Sequence, residues 1–315
     1  MRIAVVGAGG VGGGYGAALA KAGADVTFIA RGAHLAAMKG KGLKVESVRG
    51  DTHLVPTQAT DDPKTVGPVD VVLFCVKLWD VESAGEAIKP MVAADTAVIP
   101  LQNGVDASER LAPILGKQAM MGGVANISAT IAEPGVIRQT GTVLRMVFGE
   151  LDGRKSARAE ALAALCGKAG IDGVLSTAIL TDLWMKFILL ASNASIMALT
   201  RLPVGKLRDD PDIAPWFTTA YEEVTAVGRA AGVTLPADAV DKTLNFNRNA
   251  PPNLMASMAV DLLRGNRIEL PWLSGKVLEL GKKHGVATPT HAFMFAALKP
   301  YIMGAPPRRE SCASS

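Results

Sequence analysis

Cysteine is scarce and isolated in this 315-residue sequence. Three cysteines occur, Cys75, Cys166 and Cys312, and no two of them form a CxxC pair. This spacing argues against a disulfide framework or a zinc site and fits a protein of the reducing cytosol. We therefore expect a cytoplasmic protein without a metal centre.

Charge of one sign is nowhere concentrated along the chain. Charged residues make up 20% of the sequence and the formal net charge is +4. Aromatic residues make up only 5%, and no block of Lys and Arg is interleaved with them. Nucleic-acid-binding and membrane-surface proteins typically carry such blocks, so we expect neither partner.

A long uninterrupted apolar run is also missing. The stretch from Leu183 to Leu199 is the most apolar one, but it contains Lys186 and three small polar residues, and no stop-transfer pattern flanks it. A membrane-spanning helix needs about 20 mostly apolar residues, so a buried core helix is the better interpretation. The N-terminal apolar stretch runs straight into glycines, which does not match a signal peptide.

The length of the chain is sufficient for two domains, each with its own core. Residues 1–177 alternate apolar strands with helices, whereas residues 178–303 show helical patterns near 180–200, 212–231, 237–248, 254–264, 272–284 and 290–302. We expect an α/β domain followed by an all-α domain. The small, polar and Pro-rich tail, residues 304–315, is expected to be disordered.

A glycine loop near the N-terminus predicts dinucleotide binding. An apolar strand over 3–6 leads through Gly7, Ala8, Gly9, Gly10, Val11 and Gly12 into a helix, and a second strand follows over 26–30. The first glycine permits a tight turn, the second lets the backbone approach a pyrophosphate, and the third lets helix and strand pack closely. The alternative is a glycine-rich turn without a ligand.

Arg31 follows the second strand, where NAD-binding proteins usually carry an acid. A guanidinium at this position suits the 2′-phosphate of NADP, so NADPH is the expected cofactor. The alternative is a solvent-exposed arginine in a loop.

Two later apolar strands end in polar residues that could contact a ligand. One strand ends at Lys77 and the other at Asn103. Because open α/β sheets bind ligands beyond the carboxyl ends of their strands, we expect both side chains near the glycine loop. Further strands over 136–140, 143–149 and 173–176 are expected to extend the same sheet.

The apolar helix near 180–200 carries a polar stripe. Asp182, Lys186 and Asn193 fall on one face by their spacing. One interpretation pairs Asp182 with Lys186 and makes Asn193 a satisfied core amide; the other turns the stripe toward a cofactor crevice. Downstream, Ser257 and Asp261 lie one turn apart, and Glu269 precedes Pro271.

These pieces together resemble the ketopantoate reductase (2-dehydropantoate 2-reductase) family along nearly the whole chain. The matching motifs are the glycine loop with Arg31, "FCVK" ending at Lys77, "QNG" at 102–104, "LWMKF" at 183–187, and the Ser257-to-Glu269 spacing. The resemblance implies NADPH-dependent reduction of a 2-keto acid in a cleft between a Rossmann-type domain and a helical domain.

The resemblance also implies roles for individual residues. Lys186 would donate a proton and Glu269 would lie near substrate and nicotinamide, while Asn103 and Ser257 would contact the substrate. Asn103, Lys77 and the backbone of Ala129 would contact the cofactor. A substrate contact by Asn193 is a further expectation, because the asparagines usual in the family are replaced here by Leu190 and Ala194.

Those replacements predict a more apolar substrate pocket. They leave three functions open: ketopantoate reduction, a related dehydrogenase acting on another keto or hydroxy acid, and a non-catalytic NADP(H)-binding sensor. The apolar helix could also contribute to a homodimer.

Overall fold

The computed structural model describes residues 1–305, so most of the tail that we expected to be disordered lies outside the described residues. The chain divides into two compact units, one of Met1–Leu183 and one that begins at Trp184. The first combines strands and helices, and the second is helical. The expected fold class, an α/β domain followed by an all-α domain, is therefore confirmed.

The described strands all belong to the first unit. In chain order they are β1 Arg2–Val6, β2 Asp25–Ile29, β3 Leu43–Ser47, β4 Thr52–Leu54, β5 Ala59–Thr60, β6 Val71–Phe74, β7 Ala97–Pro100, β8 Met121–Glu133, β9 Val136–Glu150 and β10 Asp172–Leu175.

The helices run through both units. They are α1 Gly10–Lys21, α2 Gly32–Lys41, α3 Val81–Ala87, α4 Ala107–Leu115, α5 Ala157–Lys168, α6 Ile179–Thr200, α7 Val204–Leu207, α8 Ala214–Ala230, α9 Ala239–Asn249, α10 Ser257–Leu263, α11 Ser274–His284 and α12 Pro289–Leu298.

The first sheet is parallel and has the strand order β5-β2-β1-β6-β7. All residues of β6 and β7 are buried, as the continuous apolar runs predict for central parallel strands covered on both faces. This arrangement brings the carboxyl ends of β2, β1, β6 and β7 to one edge.

The expectation that the later strands extend this sheet is wrong. β8, β9 and β10 form a second sheet with β3 and β4, in which β9 pairs antiparallel with β8 and parallel with β3 and β10. β9 is one strand of 15 residues rather than the two strands expected. Its length lets one end pair with β3 and the other with β10, so its backbone hydrogen bonds are satisfied away from the first sheet.

Helix α1 packs between the two sheets. A Cβ atom on Gly16 would lie 2.4 Å from Phe28 of β2, and one on Gly14 would lie 2.6 Å from Ile127 of β8. The buried hydroxyl of Tyr15 donates to the carbonyl oxygen of Arg145 at 2.6 Å. Because glycines occupy both faces of α1, the sheets approach the helix closely and fix the start of the helix against them.

The helical unit follows the sequence pattern closely. The six predicted segments are confirmed as α6 and α8 to α12, and the short helix α7 was not predicted. α12 ends at Leu298 rather than near residue 302, and Pro300 lies in the 3-10 turn that follows. Proline lacks the N–H that would continue the helix.

Helix α6 has the length and composition of a membrane-spanning helix, with 22 residues and a mean hydropathy of 1.4 in its most apolar stretch. The protein itself buries 61% of that stretch. This degree of burial favours the core helix that we expected.

Candidate functional site

The glycine loop between β1 and α1 has the geometry that the motif requires. Gly7 has φ +94°, a left-handed conformation that glycine adopts without strain. A Cβ atom on Gly12 would lie 2.2 Å from the carbonyl oxygen of Gly7 and 2.8 Å from Val5, so this glycine permits close packing of helix and strand. Both conformational expectations are confirmed.

Gly9 leaves open space where the other glycines of the loop do not. A Cβ atom on Gly9 would meet nothing within 4 Å. Gly9 is also the N-cap of α1 and supplies no side chain to the first-turn N–H groups of the helix. Free space beside a helix N-terminus fits a pyrophosphate, because the N–H groups and the helix dipole favour negative charge there.

The backbone of β8 closes another side of the loop. A Cβ atom on Gly10 would lie 2.0 Å from the carbonyl oxygen of Ala129. The structure thus brings Ala129 beside the loop, where the resemblance expects a backbone contact to the cofactor. Ala8 is buried, and Val11 packs against the core of the first unit.

His34 is a residue of the loop region that the sequence did not single out. The backbone N–H of Gly135 donates to Nδ1 of His34 at 3.0 Å, so Nε2 carries the ring proton and donates to the carbonyl oxygen of Ala8 at 2.9 Å. His34 therefore joins the glycine loop, α2 and the turn before β9. A lone histidine in a helix carries no sequence signal for this role.

Arg31 lies at the N-cap of α2, immediately beyond β2. Its side chain is 78% exposed and its Nη2 atom lies 3.1 Å from Oδ2 of Asp80. The guanidinium is therefore at the expected place beside the sheet edge, but it forms an ion pair with an acid for which the sequence carries no local signal.

Lys77 and Asn103 follow the neighbouring strands β6 and β7. Lys77 precedes the 3-10 turn Leu78–Asp80, and its Nζ atom lies 5.5 Å from the ring centroid of Trp79. The side chain of Gln102 donates to the carbonyl oxygen of Phe74 at 2.9 Å and so joins the ends of the two strands. One edge of the parallel sheet thus carries the glycine loop, Arg31, Lys77 and Asn103. Ligands bind to such sheets at this edge.

Lys186 belongs to the helical unit and lies half-buried on α6, next to the buried side chain of Phe187. Burial lowers the pKa of Lys186 to about 8, and the negative charge of Glu269 acts in the opposite direction. Glu269 is only 5% exposed and begins the 3-10 turn Leu270–Trp272. The charge of one of the residues that we expected to be catalytic therefore acts on the pKa of the other.

The polar side chains expected to form one stripe on α6 have separate partners. The carboxylate of Asp182 accepts a hydrogen bond from the hydroxyl of Ser176 at 2.5 Å. The side chain of Asn193 accepts from the hydroxyl of Tyr221 and donates to the side-chain oxygen of Asn247 at 3.2 Å. Both ends of this buried amide have partners within the helical unit, which favours the core-amide interpretation over a substrate contact.

Ser257 is the first residue of α10 and is exposed, whereas Asp261 in the same helix is half-buried. The side chain of Asn266 donates to Asp261 at 3.3 Å, which ties the end of α10 to the following turn. The substrate contact of Ser257 stays a prediction.

Comparisons with known proteins cover both units. Residues 3–153 match the family described as ketopantoate reductase PanE/ApbA, and residues 178–301 match its C-terminal part. A 2-dehydropantoate 2-reductase of Caulobacter vibrioides is 32% identical over 300 residues, which cover 94% of this chain and 97% of that protein.

Solved structures agree with this match. The crystal structure of a PanE/ApbA family ketopantoate reductase from Ralstonia eutropha has a TM-score of 0.87 and 33% identity, covering 96% of this chain and 98% of that one. The ternary structure of D-mandelate dehydrogenase with NADH and anilino(oxo)acetate has a TM-score of 0.88, with the same coverage of both chains. Its identity of 20% shows a common fold alone.

Proposed function

Because the chain belongs to the ketopantoate reductase family of oxidoreductases, we propose that it reduces a 2-keto acid to a 2-hydroxy acid with NADPH. The proposed substrate is 2-dehydropantoate and the product is pantoate. The observation that carries this proposal is the position of Lys186, a half-buried cation on the apolar helix α6 whose pKa responds to the buried Glu269.

Lys186 has the properties of a proton donor for ketone reduction. When bound, the reduced nicotinamide supplies a hydride to the carbonyl carbon. The carbonyl oxygen then carries negative charge, which an adjacent ammonium stabilises and neutralises by giving up a proton. With a pKa of about 8, Lys186 is mostly protonated at neutral pH yet releases its proton more readily than an ordinary lysine.

The charge of Glu269 raises the pKa of this lysine and so favours its protonated form before the substrate arrives. Burial alone disfavours the ammonium, and the carboxylate of Glu269 opposes that effect. The carboxylate of a bound 2-keto acid would act in the same direction. The ammonium of Lys186 thus attracts an anionic substrate without fixing what lies beyond its carboxylate.

The proposed cofactor contacts lie in the first unit. The N–H groups at the start of α1 and the open space beside Gly9 suit the pyrophosphate, and the exposed guanidinium of Arg31 suits the 2′-phosphate. Lys77 and Asn103, at the same sheet edge, are proposed to reach toward the cofactor, with Asn103 also meeting the substrate. Reduction requires that this edge and Lys186 face the same substrate.

The second candidate is reduction of a bulkier, more apolar keto acid. Leu190 and Ala194 stand where the family usually carries asparagines, and Ala194 is fully buried. Loss of those amides removes polar groups that would recognise a hydroxylated side chain.

A steady-state assay distinguishes the candidates. NADPH oxidation would be compared for 2-dehydropantoate and for branched and aromatic 2-keto acids, each over a range of concentrations. The proposal expects the highest kcat/KM with 2-dehydropantoate, whereas a preference for aromatic acids would establish the second candidate. NADPH binding without oxidation of any substrate would instead indicate a sensor.

Lys186→Ala tests the assigned role. We expect kcat to fall by about 10²- to 10⁴-fold while the Kd for NADPH changes little, because the ammonium acts on the ketone. Lys206→Ala, at an exposed lysine of the helical unit, is the matched control. Wild-type kcat in Lys186→Ala would overturn the mechanism.

We also propose that the enzyme works as a soluble protein in a reducing compartment. Cys75 and Cys166 are free thiols, and burial raises the pKa of Cys166 to about 12, which keeps it protonated and unreactive.

A further inference from the structure

We propose that Asp80 is a second determinant of cofactor choice, which weakens the preference for NADPH by sharing the guanidinium of Arg31. The inference deepens the proposed function, since it assumes that Arg31 receives the adenosine 2′-substituent. It concerns a residue at the edge of the parallel sheet that neither the glycine motif nor Arg31 itself would reveal.

The sheet topology explains why these residues meet. Arg31 follows β2 and Asp80 lies just beyond β6, and these two strands flank β1 on either side. The ion pair, with 3.1 Å between Nη2 of Arg31 and Oδ2 of Asp80, therefore spans the carboxyl end of β1, where the glycine loop begins. Whatever binds along that loop with its ribose toward Arg31 also approaches Asp80.

Asp80 is held in place by its own backbone. Its N–H donates to the carbonyl oxygen of Lys77 at 2.9 Å, and its carbonyl oxygen accepts from the hydroxyl of Ser83 at 3.1 Å. The side chain of Asp80 is 30% exposed, compared with 78% for Arg31. The acid is thus the more enclosed partner and the arginine the more exposed one.

The ion pair has little structural value of its own. Exposed pairs of this kind contribute little to stability, because water screens them and two side chains must be ordered. Removing the carboxylate should therefore leave the fold intact and change mainly the electrostatic potential around Arg31.

That potential affects the two cofactors in opposite ways. A 2′-phosphate that approaches Arg31 must compete with Asp80 for the guanidinium and is repelled by the carboxylate. A 2′-hydroxyl can instead donate a hydrogen bond to that carboxylate, as it does to the acid at the end of the second strand in NAD-binding proteins. Asp80, in the turn after β6, can therefore accept the hydrogen bond from the 2′-hydroxyl that an acid after β2 accepts in NAD-binding proteins.

Other charges nearby do not remove this effect. Lys77, in the same loop, adds one positive charge, and its Nζ atom lies over the ring of Trp79. Glu82 pairs with Arg110 at 2.7 Å. Among residues 1–305, Asp80 is the acid that contacts the guanidinium directly, so its neutralisation is the decisive change.

The test measures binding to the cofactor-free protein, so it does not depend on turnover. The Kd values of NADPH, NADH, 2′,5′-ADP and 5′-AMP would be determined by calorimetry for the wild type and Asp80→Asn. The two nucleotide fragments differ in the 2′-phosphate alone. We expect Asp80→Asn to bind NADPH and 2′,5′-ADP about three- to ten-fold more tightly, and NADH and 5′-AMP no more tightly than before.

Glu86→Gln is the control, because it removes the same charge from α3 at an exposed pair with Lys89. Its NADPH-to-NADH affinity ratio should stay within about two-fold of the wild-type ratio. A folded Asp80→Asn protein whose affinity ratio also stays within that range would overturn the inference.

Arg31→Gln separates this inference from the proposed function. If Arg31→Gln loses affinity for 2′,5′-ADP but Asp80→Asn changes no ratio, the role of Asp80 is wrong and the cofactor assignment stands. If Arg31→Gln binds 2′,5′-ADP as tightly as the wild type does, the assignment of Arg31 fails and the inference fails with it.

Discussion

The carboxylate of Glu269 opposes the effect of burial on the ammonium of Lys186, and both groups belong to the helical unit. Burial would favour a neutral lysine, which could neither stabilise an oxyanion nor donate a proton. A buried acid beside it keeps the proton bound near neutrality while leaving the pKa well below that of a free lysine. The protonation state of Lys186 therefore depends on the charge of Glu269.

The pH dependence of catalysis should report this pair. Because Lys186 acts as an acid, kcat/KM for keto-acid reduction should decline as pH rises through about 8, where the lysine loses its proton. Glu269→Gln removes the charge that raises the lysine pKa, so the decline should begin at lower pH. Glu279→Gln, at an exposed acid paired with Lys276, is the control. An alkaline limb that is identical in all three proteins would contradict the pairing.

Substitution of two neighbouring glycines should affect cofactor binding in one case and stability in the other. Gly9→Ala places a methyl group in open space, so the melting temperature should hardly change while the Kd for NADPH rises about ten-fold or more. Gly10→Ala brings a methyl group within 2.0 Å of the carbonyl oxygen of Ala129 and should lower the melting temperature by several degrees, about 2–4 °C per kcal/mol lost. Thermal unfolding and fluorescence titration of both variants would test the difference. Full NADPH affinity in Gly9→Ala would mean that the open space does not receive the pyrophosphate.

Asn193 offers a test of its two interpretations. Asn193→Ala leaves the buried hydroxyl of Tyr221 and the amide of Asn247 without this partner, which should reduce the free energy of unfolding by about 2–3 kcal/mol. Tyr221→Phe breaks one of the two bonds and should cost less. As a core amide, Asn193 should affect denaturant unfolding far more than KM. A large rise in KM with unchanged stability would restore the substrate contact.

Acid should destabilise the fold through His291. Its ring is fully buried, and burial lowers its pKa to about 4. Between this value and the unfolded pKa of about 6.5 only the unfolded chain binds the proton, so stability is lost as pH falls through this window, by about 3 kcal/mol in total. Denaturant unfolding near neutral pH and near the acid end of that window would measure the loss.

His291→Asn should flatten that dependence at the expense of overall stability. His53→Gln, at an exposed histidine, should leave it unchanged. The same slope in His291→Asn and the wild type would show that other groups cause the acid sensitivity.

Much of the fold was predictable because its signals are local. The strands that end near Lys77 and Asn103, the turn at Gly7 and the helices of the second unit each depend on residues close together in sequence. The resemblance placed Lys186 and Glu269 in one site, and in the structure the charge of Glu269 raises the pKa of Lys186 against the effect of burial. The substrate contact of Ser257 stays a prediction, whereas the Gly9 and Arg31 variants test the cofactor contacts.

By itself the sequence determined the strands β1, β2, β6 and β7, six helices of the second unit, the turn at the glycine loop, and which cation lies within an apolar helix. Tertiary structure alone decided which sheet β8, β9 and β10 join, which partners satisfy Asn193, and that Asp80 meets Arg31. The physical reason is distance along the chain. Apolar periodicity and glycine conformation are properties of a few consecutive residues, whereas a hydrogen bond between residues dozens of positions apart depends on how whole strands and helices are arranged.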